Sequence, residues 1–534
     1  MSNDPFSETP YYDEYKAIRN RLRAYNPVAL IGMCLQYLHK PVAKPMDYIE
    51  RHPWCVLLLI KWILVDEKFA DRNRPAPTQA QTVKLVQQMI NLAGKVRMPS
   101  EHDYITLFIR AMLFQQVLYQ RRSSILLTGR QMLYFGGLDE AHYIPRTFHE
   151  VTGMSLNRFL QLALAFHTAF LDDGPVRHRI GTRWFGDLQN AGETDDIELF
   201  LGLLSDSFLG IRETLLARDA KTLEAGRKPR AASEYAEQTP LIQTPLLPSG
   251  LGDYVVIDPC LLENCLDNFI YNTLRGHHVQ DFMGHFGPIF EDYVRLAVEY
   301  SRLPFRTEDE LKLLLGAKQG RNLIDFVITD EDAHVFLDAK AAEMNYRGTV
   351  THDAVELAKL LDASLLKAVK QANSVIADLV RLNSDDAVFK ARKRHYLIVV
   401  TYARMNIGNG RALADAVGMT AIEAVVADQP GGLQIPIENM YFLTIEEFER
   451  LVAQVAVGSI GLVEALERAK KLDADPATSS FMFEQHLAKW GMAGTAPDYL
   501  IKKTTDALDQ IAASLKQYQV PACDNHNVAG NIHW

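Results

Sequence analysis

Apolar residues recur at helical spacing through the first 230 residues of the chain, and strand-like alternation is almost absent there. The run WCVLLLIKWILV is too short to span a bilayer and contains Lys61, so it predicts a buried helix. We predict a helical domain over residues 1–235, built as an irregular bundle. The clearest helical segments are LRAYNPVALIGMCLQYLHK, TQAQTVKLVQQMINLAGKV, YITLFIRAMLFQQVLYQRR, SLNRFLQLALAFHTAFL and IELFLGLLSDSFLGIRETLLARD.

The pattern changes after residue 235. Proline, alanine and charged residues dominate LEAGRKPRAASEYAEQTPLIQTPLLPSG, which predicts a linker over residues 236–255. Helical segments and strand-like runs then share residues 256–455, and Gly287-Pro288 predicts a helix start. Residues 456–534 predict a C-terminal helical extension. The expected fold is therefore mixed α+β or α/β: a large N-terminal helical domain, a sheet-containing domain and terminal helices.

The stretch NLIDFVITDEDAHVFLDAKAA, residues 322–342, predicts a β-hairpin. Asp325 lies in the apolar run of the first strand, TDEDA supplies the turn, and HVFLDAK forms the second strand. Because strand side chains alternate, we expect Phe336, Asp338 and Lys340 on one face and the residues between them on the other. Carboxylates at the ends of buried strands are costly unless they are paired or bind a cation. The pattern favours a Mg²⁺ site that also takes phosphate oxygens.

These residues resemble the core of the PD-(D/E)XK nuclease superfamily, which has the restriction-endonuclease-like fold. Asp325 matches the first acid, Asp338 the second acid and Lys340 the motif lysine. Such families often place another acid on the helix before the first core strand, where this chain has Glu291. Many also carry a glutamine on the helix after the lysine strand, where this chain has Gln371. The resemblance covers residues 280–450 and implies a mixed central sheet flanked by helices.

The resemblance implies a role for each matching residue. Asp325 and Asp338 would hold Mg²⁺, for which Mn²⁺ is expected to substitute, together with the main-chain carbonyl of Ala339. Lys340 would orient the attacking water and stabilise negative charge on the phosphate. Glu291 would bind a second metal or its water, and Gln371 would position Lys340 or the nucleophile. The implied reaction is hydrolysis of a phosphodiester bond, by an endonuclease, with DNA as the expected substrate.

Two residues depart from the superfamily's patterns. Ile324 stands where a proline often precedes the first acid, and Val375 stands where one exonuclease-like branch has a tyrosine. An acid-x-Lys triplet also arises by chance, and Asp219-Ala-Lys221 repeats the motif in a charged helix end. Surface charges at strand ends are therefore the alternative interpretation of the triplet. A solvent-facing position is the alternative for Gln371, and a favourable helix dipole is the alternative for Glu291.

The chain has a formal net charge of −10, so any binding of nucleic acid needs a local basic surface. The segment KARKRH provides the candidate, directly before the strand-like run LIVVTY. Two further arginines flank the proposed site in sequence. The expected phosphate-binding residues are thus Arg321, Arg347, Lys390, Arg392, Lys393 and Arg394. The alternative is a solvated, charged loop with no ligand.

The composition of the chain also predicts its cellular location. The opening MSNDPFSETPYYDEYK is polar and acidic, which predicts no signal peptide, and no apolar run is long enough for a membrane span. Five cysteines without a paired spacing suit a reducing cytoplasm. We therefore expect a cytoplasmic protein without a membrane partner.

The architecture suggests restriction or antiviral defence, in which the helical domain senses, gates or assembles through a protein partner, an activator or a second copy of the chain. Two alternatives stay open. One is an RNA-cleaving, toxin-like effector of the same fold. The other is a non-catalytic scaffold or nucleic-acid-binding protein with a degenerate nuclease fold.

Overall fold

The protein is described from a computed structural model that defines residues 8–41, 45–96, 105–120, 125–168, 178–182, 184–185, 194–250, 252–316, 323–344, 346–492 and 494–516. It is a mixed α/β structure in which helices predominate. The strands form one mixed five-stranded sheet and one three-stranded sheet. No helix in the described ranges combines the length and the apolar character needed to cross a membrane.

Eleven of the helices in the described residues precede residue 225, as the helical spacing predicts. The apolar run predicted as a buried helix is one of them, and the ammonium of Lys61 within it is neutralised by Glu234 at 2.7 Å. Burial of that lysine is tolerated because its charge is paired. The helices are α1 (Glu8–Leu22), α2 (Pro27–Leu38), α3 (Pro45–Ile49), α4 (Pro53–Val65), α5 (Gln79–Asn91), α6 (Ile105–Gln116), α7 (Ile125–Phe135), α8 (Tyr143–Thr152), α9 (Leu156–Thr168), α10 (Thr194–Leu203) and α11 (Phe208–Glu224).

The segment predicted as a linker is instead ordered. A short strand β1 (Arg179–Gly181) pairs with β3 (Asp253–Val256), which also pairs with β2 (Leu246–Gly250), all antiparallel. Two 3₁₀ turns precede the hairpin, and leucines 241 and 246 are fully buried. The prediction of a linker over 236–255 was wrong because these apolar side chains enter a core. The prolines and glycines there supply turns within the fold.

The apolar cores do not follow the order of the sequence. One core joins α1–α5 to residues 211–261. A second core joins α7–α10 to one face of the five-stranded sheet through α12 (Pro259–His277) and α13 (Val279–Tyr300). Helices α7–α10 therefore share a core with the five-stranded sheet, whereas α1–α5 pack in the first core.

Helix α13 begins nine residues earlier than the sequence predicts. Gly287-Pro288 does not start a helix, because α13 begins at Val279 and contains Pro288 in its interior. His278 caps its first turn by accepting a hydrogen bond from the N–H of Asp281 at 3.3 Å. Proline removes one helical hydrogen bond, but the buried aromatic face of α13 offsets that loss. Glu291 consequently lies in the middle of the helix.

The five-stranded sheet has its strands in sequence order: β4 (Phe305–Thr307), β5 (Phe326–Asp330), β6 (Ala333–Lys340), β7 (Arg394–Thr401) and β8 (Met440–Thr444). Strands β4, β5 and β6 pair antiparallel, whereas β6, β7 and β8 pair parallel. The associated helices are α14 (Glu308–Leu315), α15 (Tyr346–Val350), α16 (Ala354–Leu361), α17 (Lys367–Leu382), α18 (Gly410–Val417), α19 (Met419–Val426), α20 (Ile445–Ala456), α21 (Leu462–Asp473), α22 (Phe483–Lys489) and α23 (Asp498–Lys516).

The predicted hairpin and the alternation along its second strand are confirmed. Strands β5 and β6 pair from Phe326 to Leu337 through a tight turn. Val335 and Leu337 face the core that contains α13 and α20, whereas Phe336 faces the core that contains α16 and α17. The sheet is therefore covered on both faces, and polar side chains within these strands enter packed surroundings.

Candidate active site at the ends of two strands

Asp325, Asp338 and Lys340 lie together at one end of the β5–β6 hairpin. Asp338 is fully buried, and Lys340 is the last residue of β6. Both share the face of Phe336, which α17 covers. Asp325 directly precedes β5 and has the same parity as Val327, which packs in the same core. The alternation of the strands thus directs both acids to one face of the sheet.

Direct contacts tie the three residues together. A carboxylate oxygen of Asp325 accepts a hydrogen bond from the N–H of Ala339 at 2.7 Å. The ammonium of Lys340 forms an ion pair with Asp338. Apart from Lys340 and Asp325, the described residues provide no hydrogen-bond donor to the buried oxygens of Asp338. Such oxygens are costly to bury unless a cation or donor satisfies them.

The two carboxyl groups disturb each other's ionisation. Burial raises the pKa of Asp325 well above its usual range, and repulsion from Asp338 raises it further. Burial also raises the pKa of Asp338, while the Lys340 ammonium opposes that rise. One lysine compensates two buried carboxylates only in part. The pair therefore retains a proton or binds another cation.

Helix α17 brings Gln371 to the site. Its side-chain oxygen accepts a hydrogen bond from the Lys340 ammonium at 3.5 Å, and its nitrogen donates to the carbonyl of Leu323 at 2.5 Å. Gln371 is buried, so the solvent-facing alternative for this residue is wrong. Lys367 lies one helical turn earlier, and its positive charge lowers the pKa of Asp338. The sequence pattern predicts no role for Lys367, although its i, i+4 spacing to Gln371 places both residues on one face of the helix.

Two further features support the site, and neither is evident from the local pattern of residues. A π-helical turn at residues 362–366 joins α16 to α17 directly before Lys367, and such turns often occur at functional sites. Glu308 accepts a hydrogen bond from the N–H of Leu323 at 2.8 Å. Both backbone groups of Leu323 are thus held by side chains, Glu308 on one side and Gln371 on the other. Asp325 follows two residues later, so this clamp sets its position.

Glu291 lies near the acidic pair without joining it. The described residues contain no hydrogen bond or ion pair between Glu291 and Asp325 or Asp338. Partial burial raises the pKa of Glu291, and repulsion from Glu308, Asp292 and Asp338 adds to the rise. The dipole explanation for an acid in a first turn does not apply, because Glu291 lies in mid-helix. Its position and electrostatics suit a residue that faces the same cation or water as the pair.

The predicted phosphate-binding segment lies at the opposite end of the sheet. Arg394 is paired with Ala333 at the start of β6, whereas Asp338 is paired with Val399. Five residues separate these positions along the strand, roughly 17 Å. Arg394 is also neutralised by Glu331, at 2.7 Å, and by Asp332. The neighbouring Lys390, Arg392 and Lys393 lie at that same end.

The two flanking arginines of the prediction have different outcomes. Arg347 lies on α15, seven residues after Lys340, and forms an ion pair with Glu356. It is thus at the same end of the sheet as the acidic pair. Arg321 lies outside the described residues.

The donor set at the strand ends fits a hard divalent cation. Successive residues of a strand direct their backbone groups to alternate neighbouring strands. The carbonyl of Lys340 is directed toward β7, because it accepts a hydrogen bond from the N–H of Tyr402, directly after β7, at 3.0 Å. The carbonyl of Ala339 therefore faces Asp325. Two carboxylates and one carbonyl are oxygen ligands that Mg²⁺ accepts. No group of three metal-ligating side chains is formed within the described ranges, so the carbonyl, water or substrate would have to complete the coordination.

Comparisons with known proteins add no relative. No family model matches the chain, and neither the curated proteins nor the solved structures contain a significant match. The functional interpretation consequently depends on the geometry of this chain alone.

Proposed function

We propose that this protein is a metal-dependent nuclease of the PD-(D/E)XK type that hydrolyses phosphodiester bonds, with DNA as its substrate. The observation that carries the proposal is the convergence of Asp325, Asp338 and Lys340 on one sheet face, where the Lys340 ammonium pairs with the fully buried carboxylate of Asp338. Chance surface charges at strand ends would remain solvated. Here both acids are inside the fold, and their pKa values are raised.

The order of the elements supports the same proposal. Helix α13 precedes an antiparallel set of three strands, the hairpin carries both acids, and α17 leads to the parallel strand β7. This order is similar to the restriction-endonuclease-like core. We further propose that the N-terminal helices act as the sensing, gating or assembling part of the protein. Fold alone does not define a reaction, so the site remains the main support.

The chain's own residues divide the chemistry among them. A bound Mg²⁺ or Mn²⁺ would supply Lewis-acid stabilisation of charge on the phosphate. Asp325, Asp338 and the carbonyl of Ala339 would hold that ion. Lys340 Nζ would orient the attacking water and stabilise charge on the phosphate oxygens. Gln371 keeps Lys340 Nζ at the site through its side-chain oxygen, and Glu291 would hold water at the outer side of the acidic pair.

A cleavage assay tests this proposal. Plasmid DNA, linear duplex DNA, single-stranded DNA and total RNA are incubated with the protein and Mg²⁺, Mn²⁺ or EDTA. We expect cation-dependent cutting of DNA, lost in Asp338→Asn and in Lys340→Met. The matched controls are Asp332→Asn, on the turn at the opposite end of β6, and Lys370→Met, exposed on α17. Both controls should cut as the wild type does.

Other results have defined meanings. Cutting of RNA alone would retain the site and replace DNA as the substrate. If the wild type is inert, Mn²⁺ binding is measured by isothermal titration calorimetry. Binding that Asp338→Asn removes would indicate a competent site that awaits an activator. No binding of Mn²⁺ by the wild type would overturn the catalytic proposal and leave a scaffold.

A further inference from the structure

Helix α17 places a second lysine, Lys367, at the end of the sheet that holds the acidic pair. Gln371 on α17 contacts Lys340 at the end of β6, whereas Val388, which follows α17, contacts His334 near the start of β6. The helix therefore runs antiparallel to β6. Lys367 is the first residue of α17, one helical turn before Gln371 and on the same side of the helix. It consequently lies one turn beyond Gln371 in the direction in which β6 leaves the sheet.

The charge of Lys367 reaches the acidic pair. Burial is the largest influence on the pKa of Asp338 and raises it, whereas the positive charge of Lys367 is among those that lower it. Interactions between charges weaken with distance and with exposure to water, so this ammonium lies near the buried carboxylate. The side chain of Lys367 is itself only half-buried. A bound molecule can therefore contact it from the solvent side.

Other cations around the site are already paired with carboxylates. These pairs are Lys340 with Asp338, Lys312 with Glu308 and Arg347 with Glu356. Lys367 differs, because its ammonium has neither a carboxylate within ion-pair distance nor a hydrogen-bond acceptor among the residues that the structure describes. A half-buried ammonium loses part of its hydration without gaining a partner, which favours an anion from outside the chain.

The charges of the site leave a place for a second lysine. Asp325, Asp338 and Glu291 provide three carboxylates, which Lys340 and one divalent cation would neutralise together. No positive charge would then remain for the phosphodiester. Two of the three N–H groups of Lys340 are also used, one by Asp338 and one by Gln371, which leaves one for the attacking water. Lys367 has all three of its N–H groups available for the phosphate.

We propose that Lys367 is a further catalytic residue of the nuclease, and that its ammonium contacts a non-bridging oxygen of the scissile phosphate. The inference rests on the proposed nuclease function and adds the residue that receives the substrate. Lys340 then acts on the water, and Lys367 acts on the phosphate. The contact forms when the substrate binds, and it strengthens as negative charge accumulates on the phosphate oxygens in the transition state.

Three variants test this contact. Lys367→Met removes the charge, Lys367→Arg retains it, and Lys370→Met removes an exposed charge three residues later on the same helix as the matched control. Cleavage of DNA with Mg²⁺ gives kcat and KM. Binding is measured separately by fluorescence anisotropy of a labelled 20-base-pair duplex with Ca²⁺ in place of Mg²⁺, over a series of salt concentrations. Isothermal titration calorimetry with Mn²⁺ reports on the acidic pair, and thermal melting reports on the fold.

We expect Lys367→Met to bind the duplex about tenfold more weakly, as for the loss of one charge-assisted hydrogen bond. The slope of log Kd against log salt should fall by about 0.9, which corresponds to one lost phosphate contact. Because the contact strengthens in the transition state, kcat should also fall, on the order of tenfold. Lys367→Arg should recover most of both losses, and Lys370→Met should match the wild type. Mn²⁺ should bind Lys367→Met as tightly as the wild type, or more tightly.

Three results would overturn the contact. Lys367→Met could cut as the wild type does, it could lose activity with an unchanged duplex affinity and salt slope, or it could lose Mn²⁺ binding. Any of these, alongside cutting that Asp338→Asn abolishes, would leave the nuclease proposal intact. Conversely, duplex binding that depends on Lys367, without cutting or Mn²⁺ binding, would retain the phosphate contact and overturn the nuclease. A wild type that binds no DNA would overturn the contact as well.

Discussion

The ammonium of Lys340 lies 3.5 Å from the side-chain oxygen of Gln371, and the two groups share a hydrogen bond. The same glutamine donates from its nitrogen to the carbonyl of Leu323. One side chain on α17 thus connects the end of β6 with the segment that enters β5. The relative positions of Asp325 and Lys340 consequently depend on an amide that belongs to neither strand.

Gln371→Ala should reduce the rate of cleavage more than it reduces stability. Loss of the amide releases Lys340 and the carbonyl of Leu323, and misplacement of a reacting group by about 1 Å costs roughly 100-fold in rate. We expect kcat to fall about 10- to 100-fold with KM little changed. Asn373→Ala on the same helix is the contrast. The side chain of Asn373 accepts from the N–H groups of Gln434 and Ile435 and donates to the carbonyl of Val369, and none of these three belongs to the proposed site. That variant should melt at a lower temperature and keep its rate per folded molecule.

Glu308 should act on the site mainly through its hydrogen bond with the N–H of Leu323. Glu308→Ala removes the acceptor of the Leu323 N–H, so the segment before Asp325 loses one of its two holds. We expect a fall of roughly tenfold in cleavage rate. Glu308→Gln retains a side-chain oxygen and should restore most of the rate, since its partly exposed ion pair with Lys312 contributes little. Equal losses in both variants would show that charge, not the hydrogen bond, is what matters.

Asp338→Asn should stabilise the protein in EDTA while abolishing cleavage. Burial raises the pKa values of Asp325 and Asp338, and repulsion from Asp338 raises that of Asp325 further, so the folded protein holds more protons than the unfolded chain. Stability from these groups is therefore present at low pH and is lost as pH rises through the folded pKa values. The variant removes one ionisable group and the repulsion.

Urea unfolding at pH 5, 6, 7 and 8 measures this effect. We expect the advantage of Asp338→Asn to grow as the pH rises from 5 to 8. Asp332→Asn, at an exposed acid, should show no such gain. A variant that is less stable than the wild type at every pH would mean that the Lys340 ion pair outweighs the repulsion.

Asp258 should give a second, independent dependence on pH. It caps α12 by accepting hydrogen bonds from the N–H groups of Cys260 at 2.8 Å and Leu261 at 3.2 Å. Burial raises its pKa to about 7, so its proton stabilises the fold at low pH and that stabilisation is lost as pH rises to 7 and above. Asp258→Asn retains the cap.

The stability of Asp258→Asn relative to the wild type should consequently rise between pH 5 and pH 8. The control is Asp353→Asn, which alters an exposed cap of α16 with the same hydrogen-bond pattern. Its difference from the wild type should stay constant over this range. Chemical unfolding followed by circular dichroism reports both, and a constant difference for Asp258→Asn would contradict the prediction.

Arg130 and Glu449 form a buried ion pair at 2.5 Å, and Tyr293 donates a hydrogen bond to the same carboxylate. Arg130→Met leaves a buried carboxylate without its cation, so we expect a loss of about 3–5 kcal/mol in unfolding free energy. Adding Glu449→Gln should recover part of that loss. A double-mutant cycle by urea unfolding gives the coupling free energy between Arg130 and Glu449. Additive effects of the two substitutions would contradict the prediction.

The sequence predicted the parts of the site that depend on local periodicity. Alternation along β6 placed Asp338 and Lys340 beside Phe336, and the hairpin followed from two apolar runs around an acidic turn. Position along a strand was harder to use. The basic segment at 390–394 was predicted to bind phosphate at the site. It lies at the start of β7, and the parallel pairing of β6 with β7 places that start beside Ala333, at the end of β6 away from Asp338.

The remaining errors have a common physical cause, which is tertiary packing. Pro288 is tolerated inside α13 because phenylalanines on that helix are buried by other elements. Leu241 and Leu246 enter two different apolar cores that distant residues complete, which makes this proline-rich segment part of the fold. The effect of Lys367 on Asp338 depends on the packing of α17 over the sheet face that carries the two acids. None of these contacts can be predicted from the local pattern of residues.

Helices α7–α10 and the five-stranded sheet share one apolar core, so the two halves of the chain depend on each other for folding. Release of the N-terminal half after a proteolytic cut near residue 235 would expose apolar side chains that now bury one another. It would also leave the buried carboxylate of Glu449 without the guanidinium of Arg130. Activation by shedding the N-terminal half is therefore disfavoured. Under the proposed function, any activator would therefore act on the intact chain.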